Sequence, residues 1–458
     1  MLLLKNGSTV YGEKIDLLID GHRIADIAPA GTLTALQSTK NAFSADVYSG
    51  GVIDIGGKLI MPGIIDLHTH MREPGLTHKE DFYSGSRACA KGGITCFFDM
   101  PNTLPPTVTE KDLLDKIRSA QKNALVHFGF HFGASRDDNT SEIRRVTVNG
   151  SARSVKVFLN ESTGCMLIED KTLLERVFKA GALVFVHAEN DKIDTAIQLN
   201  ARFGSGLYIC HISSEKEMRS VIAAKQNPAL NNERTPIYAE VTPHHLFLHA
   251  AMKNEGTQNN MLLRMKPELK NQSDCDFLWQ ALTDGFVDTL ATDHAPHTKA
   301  EKLEKPCFGI PGTETSLTLM LTAAADKRIN LPLVQKLMCE NPAAVMHLSG
   351  KGRLQPGFDA DITVADTCGR YVLRSDDIVS KCAWSPYEGF ELSGKTCITI
   401  VNGEIVYRDG RFYPRRTEAC TCSSSKGGMQ KNGQTGAQFV FAGRTRGQDN
   451  DGETAPES

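Results

Sequence analysis

The chain has 458 residues, of which 40% are hydrophobic and 23% charged, and a formal net charge of -3. That is ordinary for a soluble globular protein and long enough for a barrel of ~250 residues with a smaller partner domain. The near-neutral balance supplies no basic field for nucleic acid, the longest apolar runs fall short of the ~20 residues a membrane helix needs, and 12 scattered cysteines point to reduced thiols in a cytoplasmic protein.

The start, Met1-Leu2-Leu3-Leu4-Lys5, has too short an apolar stretch for a signal peptide. Residues 1 to about 57 read as short strands with turns, with an Asp20-Gly21 hairpin signal. Residues 351–416 read similarly, with strands at Asp361–Val364 and Ile398–Tyr407, the latter holding an Asn402-Gly403 turn. Two strand-rich ends around a different middle predict one small β-sandwich built from both termini. The middle, residues 58–350, alternates. Strand-like runs occur at Ile60–His68, Ile94–Met100, Ala124–Phe132, Ser154–Leu159, Ala182–His187, Leu207–His211, Ile237–Val241 and Val287–Thr292. Helical patterns lie between them, at Lys79–Lys91, Glu110–Lys122, Glu169–Lys179, Glu215–Lys225 and Asp274–Thr283. Eight strands alternating with helices predict an α/β fold, a (β/α)8 TIM-like barrel. An open doubly wound sheet is the alternative, but no glycine-rich dinucleotide turn follows the first strand. The tail, residues 417–458, is rich in Ser, Gly, Gln, Asn and Thr, and is expected to be disordered. Its Cys420 and Cys422 form a lone C-x-C, which is weak evidence for a metal site.

The chemistry sits at strand ends. His68 and His70, in Asp66-Leu67-His68-Thr69-His70, point to the same side of a strand and suit one divalent ion. Two satisfied histidines would explain that pair alone equally well. His187 ends the fifth strand, His211 the sixth and Asp293 the eighth. In a barrel, the C-terminal strand ends are where catalytic groups converge, so a metal site there is the expectation. Lys156 lies in the fourth strand among apolar residues. Burial there favours the neutral amine, which reacts with carbon dioxide to give a metal-bridging carbamate. A lysine paired with a nearby acid is the plainer alternative.

These motifs together resemble the amidohydrolase superfamily, and within it the dihydroorotase type, over about Leu59 to Tyr407. The most specific stretches are His68-Thr69-His70-Met71-Arg72-Glu73-Pro74-Gly75, Thr77-His78-Lys79-Glu80-Asp81, Asp99-Met100-Pro101-Asn102-Thr103 and Ala291-Thr292-Asp293-His294-Ala295-Pro296-His297-Thr298. Lys156-Val157-Phe158-Leu159-Asn160-Glu161 and Glu240-Val241-Thr242-Pro243-His244-His245 are similar to the dihydroorotase domain of the animal multifunctional pyrimidine-synthesis protein. The resemblance implies reversible, zinc-dependent cyclisation of N-carbamoyl-L-aspartate to L-dihydroorotate. It implies one zinc on His68, His70, carboxylated Lys156 and Asp293, and a second on Lys156, His187 and His211. Arg72, Asn102 and His297 would grip the substrate carboxylate, and Asp293 would move the proton. Cys210 and Glu240 match positions near a further zinc in the animal domain. The animal arginine before Pro-Glu-Leu is here Lys266, with Arg264 two places earlier, so either could contact substrate. Ser162-Thr163-Gly164 replaces the Thr-Phe of the animal flexible loop. Family members are often homodimers, which makes a homodimer an expectation.

Hydantoinase, dihydropyrimidinase and allantoinase share the metal ligands. Their substrates lack the ring carboxylate, so Arg72 favours dihydroorotate. A non-catalytic scaffold of the same fold is a further alternative, but such relatives usually lose metal ligands, and none is lost here.

Overall fold

A computed structural model describes residues 1–33, 51–162, 164, 166–254 and 259–414. The expectation for the tail, with Cys420 and Cys422, and that for Thr163 fall outside the described residues.

The eight expected barrel strands are present. They are Ile64–Thr69, Ile94–Asp99, His127–Phe130 continued by Phe132–Gly133, Ser154–Phe158, Leu183–His187, Leu207–Ile209, Ile237–Val241 and Thr289–Leu290. Neighbours pair in parallel in chain order, and the two halves of the third strand join one run of pairing to the next. A parallel bridge between Thr69 and His294 closes the ring, with the His70 N–H donating to the His294 carbonyl at 2.8 Å. The strands are buried along almost their whole length, because helices cover the outside and side chains fill the inside.

Capping side chains set the helix starts. Asp81 caps Phe82–Lys91, Thr109 caps Glu110–Asn123, Asp170 caps Lys171–Phe178 and Ser214 caps Glu215–Gln226. The first begins three residues later than its pattern suggests, because Asp81 accepts from the Ser84 N–H and ends the preceding loop. Thr77–Glu80 are thereby released from the helix at the barrel mouth.

Strands from both termini form a single nine-stranded sheet. It curls around a core shared by Leu4, Leu17 and Ile19 from one end and Ile362, Ile398 and Ile400 from the other, giving the expected sandwich. The Asn402-Gly403 turn has φ of 50° and 78°, the double left-handed geometry of a tight hairpin. The sequence run Ile60–His68 is not one strand. Leu59–Pro62 pairs antiparallel with Ile362–Val372 in the terminal sheet, and Ile64–Thr69 enters the barrel. Gly63 sits at the crossing, where a Cβ would come 2.1 Å from Thr95 Oγ1, so only glycine fits.

A buried charge cluster joins barrel and sheet. Lys351 Nζ lies 3.0 Å from Asp359 and also pairs with Asp361, which takes the Asn402 N–H at 2.8 Å and faces His127 Nε2 at 3.2 Å. Burial opposes ionisation of Asp361, but Lys351 and His127 outweigh it and hold its carboxyl well below the usual range.

Candidate metal centre and substrate pocket

His68 and His70 end the first barrel strand on the same side, as the strand period requires. His68 Nδ1 lies 2.8 Å from Glu240 Oε1, and His70 Nδ1 lies 2.8 Å from Asn102 Oδ1. Each acceptor holds the ring's Nδ1 proton and turns Nε2 inward. Both Nε2 atoms then meet one atom, Asp293 Oδ1, at 3.3 Å and 3.0 Å. Asp66 ties the first strand to the last: it accepts the Thr292 N–H at 3.1 Å and Thr292 Oγ1 at 2.6 Å. Burial pushes its carboxyl up to about 6.

His187 Nδ1 and His211 Nε2 converge to 2.8 Å. The other nitrogens of these rings are buried without a hydrogen-bond partner among the described residues. Donor atoms of His68, His211 and Asp293 lie within 4.8 Å of one another, as do those of His68, Cys210 and Glu240. Lys156 is fully buried with Nζ 3.0 Å from Cys210 Sγ, and no carboxylate pairs with it among the described residues. The plainer reading of Lys156, as the partner of an acid, therefore does not hold.

The titration behaviour suits ligation. Burial holds His70 down to about 4, His187 to about 3 and His211 well below its ordinary value, so these rings are neutral and able to bind metal. His68 is the exception: burial opposes its proton, but the carboxylates of Glu240 and Asp293 push it up to about 10. Burial likewise opposes the charge on Asp293, yet His68 and His70 keep it ionised. Imidazoles around one carboxylate oxygen, with unpartnered buried ring nitrogens beside them, fit divalent metal.

Arg72 is buried, with Nε donating to the Pro296 carbonyl at 3.0 Å and Nη2 3.2 Å from His297 Nε2. Burial lowers its pKa to about 10, leaving it charged at neutral pH. Lys266 Nζ lies 4.8 Å over the ring of Phe308, whose backbone carbonyl meets His297, and 3.6 Å from Glu161. The Arg264 backbone carbonyl accepts Lys302 Nζ at 2.6 Å and the Gly309 N–H at 3.0 Å. Glu240 is already engaged three times, by His68 Nδ1, by the His211 N–H at 2.7 Å and by the Tyr208 hydroxyl at 2.8 Å.

Arg72, Asn190, His211 and Asp293 all have left-handed backbone, with φ of 63°, 53°, 38° and 46°. Such strain in non-glycine residues gathers at functional sites, where surrounding bonds enforce it. Glu217, which the sequence reading passed over, is one enforcer. It accepts from the Asn190 N–H at 3.1 Å and from the Ser213 hydroxyl at 2.9 Å, pinning the loops after His187 and His211. Its place three residues after Ser214, in a capping box, was the available signal. Lys79 is the other overlooked residue: Nζ lies 3.0 Å from His297 Nδ1.

A barrel with histidines able to ligate metal at the ends of its first, fifth and sixth strands and an aspartate after the eighth has the arrangement of a metal-dependent hydrolase. The amidohydrolase family profile matches residues 59–406, and this chain belongs to that family. Among relatives, it is 33% identical over 419 residues to a dihydroorotase from Methanosarcina acetivorans, covering 83% of this chain and 87% of that one. It is 30% identical to a dihydroorotase from Lactobacillus johnsonii, covering 89% of this chain and 99% of the other. Among solved structures, L-hydantoinase from Arthrobacter aurescens superposes with a TM-score of 0.78 at 26% identity, covering 90% of this chain and 97% of that one.

Proposed function

We propose that this chain is a dihydroorotase, cyclising N-carbamoyl-L-aspartate to L-dihydroorotate and reversing that step, in pyrimidine synthesis. One observation carries the substrate choice over the hydantoinase-type relatives: the buried Arg72 guanidinium stands against His297, two residues from the ligand His70. A buried cation needs an anionic partner, and dihydroorotate brings a carboxylate where dihydrouracil and hydantoin bring none.

In this reading, His68, His70, Asp293 and carboxylated Lys156 would hold one zinc, and Lys156, His187 and His211 a second. Bound there, the zinc pair would supply Lewis acidity and a water acidified enough to act near neutral pH. Asp293 takes the proton of the attacking water as oxygen bonds to the ring amide carbon. It then hands that proton to the ring nitrogen as the carbon–nitrogen bond breaks. In the cyclising direction the same carboxyl starts protonated. Arg72 holds the substrate carboxylate with His297 beside it, and Asn102 joins them while its Oδ1 keeps His70 aligned. Lys266 is better placed than Arg264 to add a further positive charge, through its position over Phe308. The three hydrogen bonds of Glu240 support a role in orienting His68 and His211 over that of ligand to a further zinc at Cys210.

No helix among the described residues is long and apolar enough to cross a membrane, and the nine cysteines described are all free thiols. A cytoplasmic homodimer acting on a small molecule, without nucleic acid, is the setting we propose. The test is metal analysis of the purified protein together with turnover of dihydroorotate, dihydrouracil and allantoin. Bound zinc with preference for dihydroorotate supports the reading, and preference for either other ring overturns it.

A further inference from the structure

Thr77–Asp81 stands out in the sequence, yet the chemistry above leaves most of it unused. Glu80 and Asp81 have structural duties: Glu80 accepts the Lys381 N–H at 3.2 Å, and Asp81 caps the first helix. Lys79 is different. Its buried Nζ lies 3.0 Å from His297 Nδ1 and 3.4 Å from Glu301 Oε1. The imidazole's other nitrogen, Nε2, lies 3.0 Å from the Phe308 carbonyl. The Trp384 indole N–H fixes the His297 backbone carbonyl at 2.8 Å.

An ammonium only donates and a carbonyl only accepts. Nδ1 must therefore be the bare nitrogen and Nε2 must carry the proton. That leaves the Nε2–H and an Arg72 N–H as two donors 3.2 Å apart. The Phe308 carbonyl takes the Nε2–H, so the ring offers the Arg72 N–H no acceptor, and that N–H is left for an anion. We propose that Lys79 is a positioning residue that locks His297 in its Nε2–H tautomer, so that the ring cannot accept from Arg72 and the guanidinium N–H stays free for the substrate carboxylate. The proposal rests on the reading of Arg72 as the carboxylate grip.

The charges around the ring agree. Burial and then the cations Arg72, Lys79 and Lys302 hold His297 down to about 2. Glu301, on the helix Lys299–Glu304, is the acid nearest Lys79, and His78 also contacts it, at 3.0 Å. Removing the Lys79 charge therefore lets His297 titrate upward and frees its tautomer.

The test compares wild type with Lys79→Met, Lys79→Gln and Lys79→Arg in the zinc-loaded protein. Nitrogen-15 NMR of labelled histidine, with His297 assigned by its loss in His297→Asn, reads tautomer and titration without any turnover. It therefore stands apart from the substrate assignment. Wild type should show a fixed Nε2–H tautomer with no titration above about pH 4. Lys79→Met should mix tautomers and raise the titration above that of wild type. Its KM for dihydroorotate should rise about tenfold, with a smaller change in kcat. Lys79→Arg should restore the wild-type signals. Should Lys79→Met not fold, Lys79→Gln decides: loss of the charge alone should raise the His297 titration. An unchanged His297 tautomer and titration in the neutral variants overturns the proposal. Failure to turn over dihydroorotate with the NMR shifts as expected would instead overturn the substrate assignment.

Discussion

Lys116 Nζ lies 2.6 Å from Asp99 Oδ2, and neither side chain has any exposure. The contact is chiefly ionic, since the well-aligned hydrogen bond of Lys116 goes to the Met100 carbonyl at 2.7 Å. Asp99 Oδ1 accepts the Met71 N–H at 2.5 Å. One helix side chain thus fixes the segment before Asn102 and, through Asp99, the residue between His70 and Arg72.

Lys116→Met should destabilise the protein by ~3–5 kcal/mol, because it strands a buried carboxylate. Denaturant unfolding of the purified variant measures this. Lys116→Met with Asp99→Asn should recover part of the loss, as no buried charge is then left alone. A single variant as stable as wild type would show that water reaches Asp99.

The candidate metal-site pattern was legible because it rests on local periods. His68 and His70 share a face by strand alternation, and His187, His211 and Asp293 sit at ends of runs that are visibly apolar. The Asn402-Gly403 hairpin was legible for the same reason. What stayed hidden depends on distant partners. Lys79 and His297 are 218 residues apart, and His68 and Glu240 are 172 apart. Glu240 could be noticed only by resemblance, while its three hydrogen bonds needed the fold. The split of Ile60–His68 between two sheets was hidden because both halves are apolar and buried, and only the space at Gly63 separates them.

The Asp361 carboxyl is depressed in the folded state, so it adds stability that is fully present above its unfolded value of ~3.9 and fades as pH falls below that. Lys351 has its pKa raised, burial opposing and Asp361 and Asp359 prevailing; its contribution is present below ~10.4 and fades at higher pH. Asp361→Asn should therefore be less stable than wild type at pH 7, with the gap narrowing below about pH 4. Unfolding curves across that range measure it. A gap independent of pH would mean that Asp361 acts by packing alone.

Asp293→Asn should reduce turnover by at least ~10²- to 10⁴-fold, because an amide has no proton to take up or deliver. Much of the metal should remain, since His68, His70, His187 and His211 are untouched. Metal analysis and assay of the same sample decide between the roles. Near-wild-type turnover would remove Asp293 from proton transfer, whereas loss of all metal would make it chiefly a ligand.

Arg72→Met tests the residue on which substrate identity rests. The guanidinium is buried and keeps its charge, with one N–H spent on the Pro296 carbonyl and Nη2 directed towards His297. A substrate carboxylate that loses this partner in a partly dry pocket should lose ~2–4 kcal/mol, much of it from the stranded charge. That corresponds to a ~30- to 1000-fold fall in kcat/KM for dihydroorotate. Any weak turnover of dihydrouracil, which has the ring amide without the carboxylate, should change far less. Zinc content should hold, because no ligand is altered. The substituted methionine is uncharged, so it should also raise the His297 titration, which is otherwise held down by burial and then by Arg72. If both substrates suffer equally with zinc retained, Arg72 serves the fold, and dihydroorotate loses its structural advantage over the other ring amides.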